Sequence, residues 1–235
     1  MRGIKETLRG NTYPGRGVLL GLTPGGDRAV IAYFIMGRSA NSRNRVFEDR
    51  GDTLTILPFD LSKVEDASLI IYDPVTALGE YTIVGNGDQT RTVRDFLSRG
   101  EGFEDALRTR TFEPDVPNRT PRISGLLQRH KGAFSYKLSI LKSTDGEACL
   151  RAFYEYEIKP GEGRLITTYE HDGDPLPSFS GEPLEIRTNN DIDAFTNEVW
   201  DALDEDNRVS LYVRYIDAKS GAFESRLINK NIGEK

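Results

Sequence analysis

Three short segments concentrate the groups that could do chemistry. Gly37-Arg-Ser-Ala-Asn-Ser-Arg-Asn-Arg45 carries three arginines, two serines and two asparagines with no acid, directly after an apolar run. Guanidinium forks grip phosphate oxygens bidentately, and Ser or Asn adds further donors, so a phosphomonoester site is the functional reading. A solvated loop whose arginines pair with surface carboxylates is the alternative. Asn86-Gly-Asp-Gln-Thr90 lies between an expected strand and an expected helix, where free backbone N–H groups favour an anion. No Gly-Lys-Ser/Thr follows, so it is not a Walker loop; a tight turn with Asp88 capping the helix is the plainer reading. Glu113-Pro-Asp-Val-Pro-Asn-Arg-Thr-Pro-Arg122 is held extended by three prolines and presents carboxylates beside guanidinium groups, as a site wall or as a surface connector.

The remaining reactive groups are few. His130 and His171 are the only histidines, which excludes a three-His metal site. His171-Asp-Gly-Asp174 offers too few ligands for a metal and reads as a polar loop. Cys149 is the single cysteine; it forms no intramolecular disulfide and reads as a buried structural thiol within a strand. Trp200 and the Tyr154/Tyr156 pair read as packing. Residue 2 is Arg, which leaves an N-terminal-nucleophile mechanism without an obvious nucleophile.

The elements that position these segments follow from periodicity. Val18–Leu22 and Ala29–Met36, joined through Thr23-Pro-Gly-Gly-Asp27, predict a β-hairpin, the second strand apolar enough to be covered on both faces. Further strands are expected at Leu54–Leu57, Ser68–Tyr72, Tyr81–Val84, Ala133–Leu141 and Cys149–Ile158. Val93, Phe96 and Leu97 sit on one helical face with Asp88 or Thr90 as the cap, and Phe103, Ala106 and Leu107 repeat the spacing. The strongest helix is Asp191–Asp204, with Asn190 as its N-cap; Arg208–Tyr215 and Phe223–Ile228 then form a closing hairpin. Stretches near 160–163 and 173–183 read as long loops. Strands outnumber helices and most joins are short, which predicts an α+β fold with antiparallel sheets. No repeat or low-complexity linker divides the chain, so residues 1–235 are expected to form one domain.

Composition limits the function classes. The chain has 31 Lys+Arg against 37 Asp+Glu, a net charge of −6, which argues against a broad nucleic-acid or membrane-surface binder. The arginine-rich segment gathers local positive charge against that background. Ten tyrosines and eleven phenylalanines supply a real core. No apolar run approaches the roughly 20 residues that span a bilayer, and the start of the chain lacks a signal-peptide apolar region. With one cysteine, a reducing, cytoplasmic setting is expected.

Tyr33-Phe-Ile-Met-Gly-Arg-Ser-Ala-Asn-Ser-Arg-Asn-Arg45, Val84-Gly-Asn-Gly-Asp-Gln-Thr90 and Asn118-Arg-Thr-Pro-Arg-Ile-Ser124, in that order and spacing, resemble the archaeal-type IMP cyclohydrolase family. The resemblance implies a layered α-β-β-α sandwich similar to the N-terminal-nucleophile hydrolases, without their nucleophile. It also implies closure of 5-formamidoimidazole-4-carboxamide ribonucleotide to inosine monophosphate and water, the last step of purine synthesis.

Such a reaction needs no metal, triad or cofactor, because both reacting groups lie on one substrate. The enzyme must orient the formamide, stabilise an oxyanion and move protons. The resemblance puts Arg38, Ser39, Arg43 and Arg45 on the phosphate or the base, and Asn86 and Thr90 on the ribose or base. Asn118, Thr120 and Arg122 form the opposite wall, and Tyr72 and Glu113 transfer protons. The expected partner is a small nucleotide monophosphate, with homo-oligomerisation plausible and no nucleic acid, membrane or cofactor. A non-catalytic nucleotide sensor, or an amidohydrolase acting on another phosphorylated substrate, are the competing functions on the same fold.

Overall fold

The structure, a computed structural model, describes residues 1–64 and 71–232. In chain order its elements are α1 (Ile4–Thr7), β1 (Arg16–Leu22), β2 (Arg28–Met36), α2 (Ala40–Arg43), β3 (Val46–Asp49) and β4 (Thr53–Leu57). Next come β5 (Val75–Leu78), β6 (Tyr81–Gly85), α3 (Gln89–Ser98), α4 (Phe103–Arg108), β7 (Arg122–His130), β8 (Ala133–Ser143) and β9 (Cys149–Glu155). The chain continues with β10 (Glu162–Thr167), β11 (Leu184–Arg187), α5 (Ile192–Ala202), β12 (Arg208–Asp217) and β13 (Phe223–Asn229). No described helix is long and apolar enough to cross a membrane.

Two antiparallel sheets dominate, giving the α+β class that the periodicity predicts. One has the order β11-β10-β1-β2-β12-β13, the other β3-β4-β5-β6-β7-β8-β9. β2 shows why its run lacks polar positions. Ile31, Tyr33 and Ile35 join a cluster with Val84, Ile123, Leu127 and Leu138 of the second sheet. Val30, Ala32, Phe34 and Met36, on its other face, pack with Ile4 of α1 and Phe195 and Val199 of α5. A third cluster joins Val93 of α3 and Phe103, Ala106 and Leu107 of α4 to Ile83 and Leu126 of the second sheet.

The expected hairpins at 18–36 and 208–228 are present, as are the helices on the second and first sheets. Several expectations are corrected. The 160–163 stretch is no long loop, since β10 begins at Glu162 and pairs with β1. Gly163 stands opposite Gly21. A Cβ on Gly21 would lie 2.6 Å from both the Glu162 oxygen and the Gly163 Cα, so these glycines permit close strand approach where they suggested a turn. The caps also differ. Asp191, not Asn190, caps α5, its carboxylate accepting from Asp193 and Ala194 N–H, while Asn190 Oδ1 accepts from Gly25 N–H. Asp88 precedes α3 without a side-chain cap bond, because its carboxylate is drawn to Arg110 and Arg122. β3, β5 and β11 were not legible as strands. Most of the strand expected at Ser68–Tyr72 falls outside the described residues; Tyr72 itself is buried and its carbonyl accepts from Ile56 N–H at 3.0 Å.

Candidate active site

Antiparallel pairing brings the start of β1 and the end of β2 to one end of the first sheet, with Arg16 opposite Ile35. The chain then doubles back through 37–45. Gly37 makes this possible, since a Cβ there would lie 2.7 Å from the Ser42 carbonyl carbon and 2.8 Å from the Arg43 nitrogen. Ser39 and Ser42 close a reciprocal capping box around α2, which fixes the segment. On the other side, the 113–122 segment folds on itself. Glu113 N–H donates to the Thr120 carbonyl at 2.9 Å, and Thr120 N–H donates to Asp115 Oδ1 at 2.7 Å.

Between these walls lies a cavity of about 480 Å³. Among the residues expected from sequence, Arg38, Ser39, Arg45, Glu113, Asn118 and Thr120 line it. Arg16, Tyr13, Asp115 and Tyr169 line it too and were not singled out. Arg16 had a faint signal: a charged residue between Gly15 and Gly17 at the mouth of an apolar run. Gly17 is required there, since a Cβ would lie 2.2 Å from the Phe34 ring. Tyr169 had no such signal, because only the fold brings it to Thr120, 49 residues away.

The other expected site residues are engaged elsewhere. Arg43 turns from the cavity, donating through Nε to the Gly37 carbonyl at 2.9 Å and through a terminal nitrogen to Asn207 at 3.1 Å. Thr90 Oγ1 donates to the Asp73 carbonyl at 2.8 Å. Arg122 donates to Gln89 Oε1 at 2.8 Å and pairs with Asp88 at 2.7 Å. Asn86 is fully buried and spent on the chain itself. Its Nδ2 donates to the Pro121 carbonyl at 2.8 Å, and its Oδ1 accepts from Ile123 N–H at 2.8 Å and Gln89 Nε2 at 3.0 Å. These bonds hold the segment that presents Thr120. Asn86, Thr90 and Arg122 therefore shape the wall from behind. Cys149, expected to be buried, is half-exposed at the start of β9. Among the described residues no group of three or more His, Cys, Asp or Glu side chains is placed to hold a metal.

The electrostatics of the cavity are unusual. The Nε atoms of Arg16 and Arg45 are buried without a hydrogen-bond partner among the described residues. Burial and then the charge of Arg16 depress the Arg45 guanidinium below its ordinary value. Burial works against Arg16 as well, but Glu113 first, then Tyr72, Tyr169 and Tyr33, hold its pKa above the usual value. Burial pushes the Glu113 carboxyl above the ordinary carboxylate range, with Arg16 and Arg122 pulling against it. Tyr72 lies behind this group, its hydroxyl 3.0 Å from that of Tyr33. Burial raises both phenols, and Arg16 and Arg45 oppose the rise at Tyr72. Arg38, at the rim, stacks over Tyr13 at 4.9 Å and pairs with Asp172 at 2.5 Å. The arrangement can therefore neutralise an anion with two guanidinium groups beside a carboxyl able to exchange a proton. Tyr72, expected at the site, is buried with Tyr33 behind them and does not line the cavity.

Comparison with known proteins places these features in a family. The family model described as IMP cyclohydrolase-like protein matches residues 13–220, from Tyr13 of the cavity wall to the turn between β12 and β13. A Methanopyrus kandleri protein named IMP cyclohydrolase is 29% identical over 180 residues, 71% of this chain and 89% of that protein. Proteins of the same name from Methanothrix thermoacetophila and Methanococcus maripaludis are 27% and 28% identical over 72% and 67% of this chain, covering 80% and 75% of their own lengths. The match includes every residue of the cavity, and by it this chain belongs to the IMP cyclohydrolase-like protein family.

Proposed function

We propose that this chain is an IMP cyclohydrolase, closing 5-formamidoimidazole-4-carboxamide ribonucleotide to inosine monophosphate with loss of water. The observation that carries this reading is the pair of guanidinium groups, Arg16 and Arg45, whose Nε atoms lack a partner among the described residues, set in one cavity with Glu113 and backed by the Tyr33–Tyr72 pair. A cavity of about 480 Å³ is of the size that encloses a small ligand, typically ~300–1,000 Å³.

In this reading the substrate's phosphate meets Arg16 and Arg45, with Arg38 and Ser39 at the rim. Asn118 and Thr120 form the facing wall. The carboxamide nitrogen attacks the formyl carbon, forming the ring C–N bond and placing negative charge on the former carbonyl oxygen. One proton leaves the attacking nitrogen and one reaches the oxygen, giving a hydroxyl. A second proton then goes to that hydroxyl as the C–O bond breaks, water departs, and the former formamide nitrogen gives up its N–H to form the ring C=N bond. Burial raises the Glu113 carboxyl above its ordinary value, which suits it to accept and return a proton, and Tyr72 suits donation to the oxyanion. Holding the formamide against the carboxamide supplies much of the rate, since the reaction is already intramolecular.

The three apolar clusters support a layered α-β-β-α sandwich of the N-terminal-nucleophile-hydrolase type, with residues 1–235 acting as one unit. A cytoplasmic enzyme acting on a nucleotide monophosphate, independent of nucleic acid and membrane, fits this chemistry. Its capacity to self-associate is open to direct sizing in solution. Purified protein mixed with the formamido ribonucleotide should raise purine-ring absorbance, and the rise should be unaffected by EDTA. Tight IMP binding without turnover would replace the enzyme with a sensor; release of formate would replace it with an amidohydrolase.

A further inference from the structure

Thr120 has one hydroxyl proton and two neighbours able to take it. Its Oγ1 lies 2.5 Å from Asp115 Oδ2 and 2.7 Å from the Tyr169 hydroxyl oxygen. A carboxylate only accepts, so the Thr120 proton goes to Asp115. Thr120 Oγ1 is then the acceptor for Tyr169, whose single proton is directed away from any ligand. All three residues line the cavity. The phenol is firmly held. Its ring stacks on Tyr13 at 6.0 Å, its N–H donates to the Pro14 carbonyl, and its own carbonyl accepts from Thr167 Oγ1. Burial pushes it up to about 12, so it keeps its proton at neutral pH.

We infer that Tyr169 is a specificity-determining acceptor: with its proton committed along the Tyr169–Thr120–Asp115 chain, its oxygen receives a hydrogen bond from a ribose hydroxyl of the ligand. The inference rests on the cyclohydrolase reading. Tyr169 lines the same cavity as Arg16 and Arg45, and the Arg16 backbone N–H donates at 3.0 Å to Oγ1 of Thr168, the residue before Tyr169, so the phenol shares the cavity with the guanidinium pair. In a nucleoside monophosphate the sugar is the part next to the phosphate, and its hydroxyls are donors.

Calorimetric titration of IMP and its 2′-fluoro-2′-deoxy and 3′-fluoro-3′-deoxy analogues tests this, because fluorine occupies the position without donating. Wild-type protein should bind one of the two analogues about tenfold more weakly than IMP. Y169F, which keeps the ring stack, should lose about the same factor for IMP and bind that analogue as the wild type does. D115N should reverse the chain: its amide donates to Thr120, Thr120 donates to Tyr169, and Tyr169 offers its proton to the cavity. That variant should lose or invert the preference for hydroxyl over fluorine. Unchanged IMP binding by Y169F, equal binding of both analogues and IMP by the wild type, or wild-type discrimination by D115N overturns the inference alone. Wild-type protein that fails to bind IMP overturns the cyclohydrolase reading and the inference with it.

Discussion

Tyr33 and Tyr72 place their hydroxyls 3.0 Å apart, and Tyr33 is the more deeply enclosed of the two. Tyr33 is completely enclosed, its ring stacked on Phe47 at 5.5 Å. If Tyr72 donated to Tyr33, the Tyr33 proton would find no acceptor among the described residues, at a cost of about 1–3 kcal/mol. Donation by Tyr33 avoids that cost and leaves the Tyr72 proton free for the charged group of Arg16, Arg45 and Glu113, whose charges act on the Tyr72 phenol.

From this direction follows a prediction for the pair. Tyr72→Phe should lower kcat by about 100-fold or more, the usual contribution of a positioned proton donor. Tyr33→Phe should cost less, about tenfold, and should also move the alkaline limb of the kcat–pH profile. At Tyr72 burial raises the pKa, while Arg16, Arg45 and the Tyr33 hydrogen bond lower it and Glu113 raises it. Removing the Tyr33 hydroxyl deletes a lowering influence, so the limb should shift to higher pH. A Tyr33→Phe enzyme with an unshifted limb would mean that the pair does not act as a unit.

The wall residues show how far the sequence could lead. Arg45 and Glu113 were legible because unusual side chains stood in segments shaped by Gly37 or by prolines. Arg43 looked equivalent to Arg38 and Arg45, yet one turn of helix between Ser39 and Arg43 aims it at Asn207. Asn86 looked functional because a buried Asn beside glycine and the N-terminus of α3 has the same local pattern whether it binds a ligand or its own chain. Arg16 and Tyr169 were hidden for another reason: their roles come from long-range pairing of β1 with β2 and β10, which no local spacing records. The longer strands of the two sheets were legible, but short β3, β5 and β11 and the order and partners of all of them were not.

Arg45 should trade stability for binding. Its Nε lacks a partner among the described residues, and burial and then the Arg16 charge disfavour its ionised form. Arg45→Met removes a poorly paired buried charge and should raise unfolding stability by on the order of 1 kcal/mol. The same change should weaken IMP binding by about 10- to 100-fold, as expected for loss of a charge-assisted contact. Thermal melts with and without IMP would show both effects. The variant should melt higher than wild type without ligand and gain less from added ligand. A lower melting temperature without ligand would contradict the picture of an unsatisfied guanidinium pair.

Asn86→Ala should act on stability through the wall. The substitution strands the Pro121 carbonyl, the Ile123 N–H and one bond of Gln89 inside the protein. Loss of these contacts should cost about 2–4 kcal/mol in denaturant unfolding. Because Asn86 holds the chain just after Thr120, KM should rise along with the loss of stability. Asn86→Ala with wild-type stability and a specific loss of kcat would instead place Asn86 on the reacting atoms.

Glu113 sets a tension between chemistry and stability that pH should expose. Burial raises its pKa in the folded protein above the unfolded value, although Arg16, Arg122 and Arg45 pull it down. The folded state consequently holds this proton more tightly than the unfolded state does. Its contribution is most favourable below the unfolded carboxylate value, about 4.3, and is lost as pH rises from there through the folded pKa. Glu113→Gln mimics the protonated form and has no such dependence. The stability of the variant relative to wild type should therefore increase across that interval and level off above it. Its kcat should fall by about 100- to 10,000-fold at neutral pH, because the amide can neither accept nor return the proton. Urea unfolding of both proteins at stepped pH, paired with the absorbance assay, measures the two effects together. A stability gap that shrinks with rising pH would show that the arginines outweigh burial at Glu113, and a carboxyl held ionised in that way would be poorly suited to return a proton to the departing oxygen.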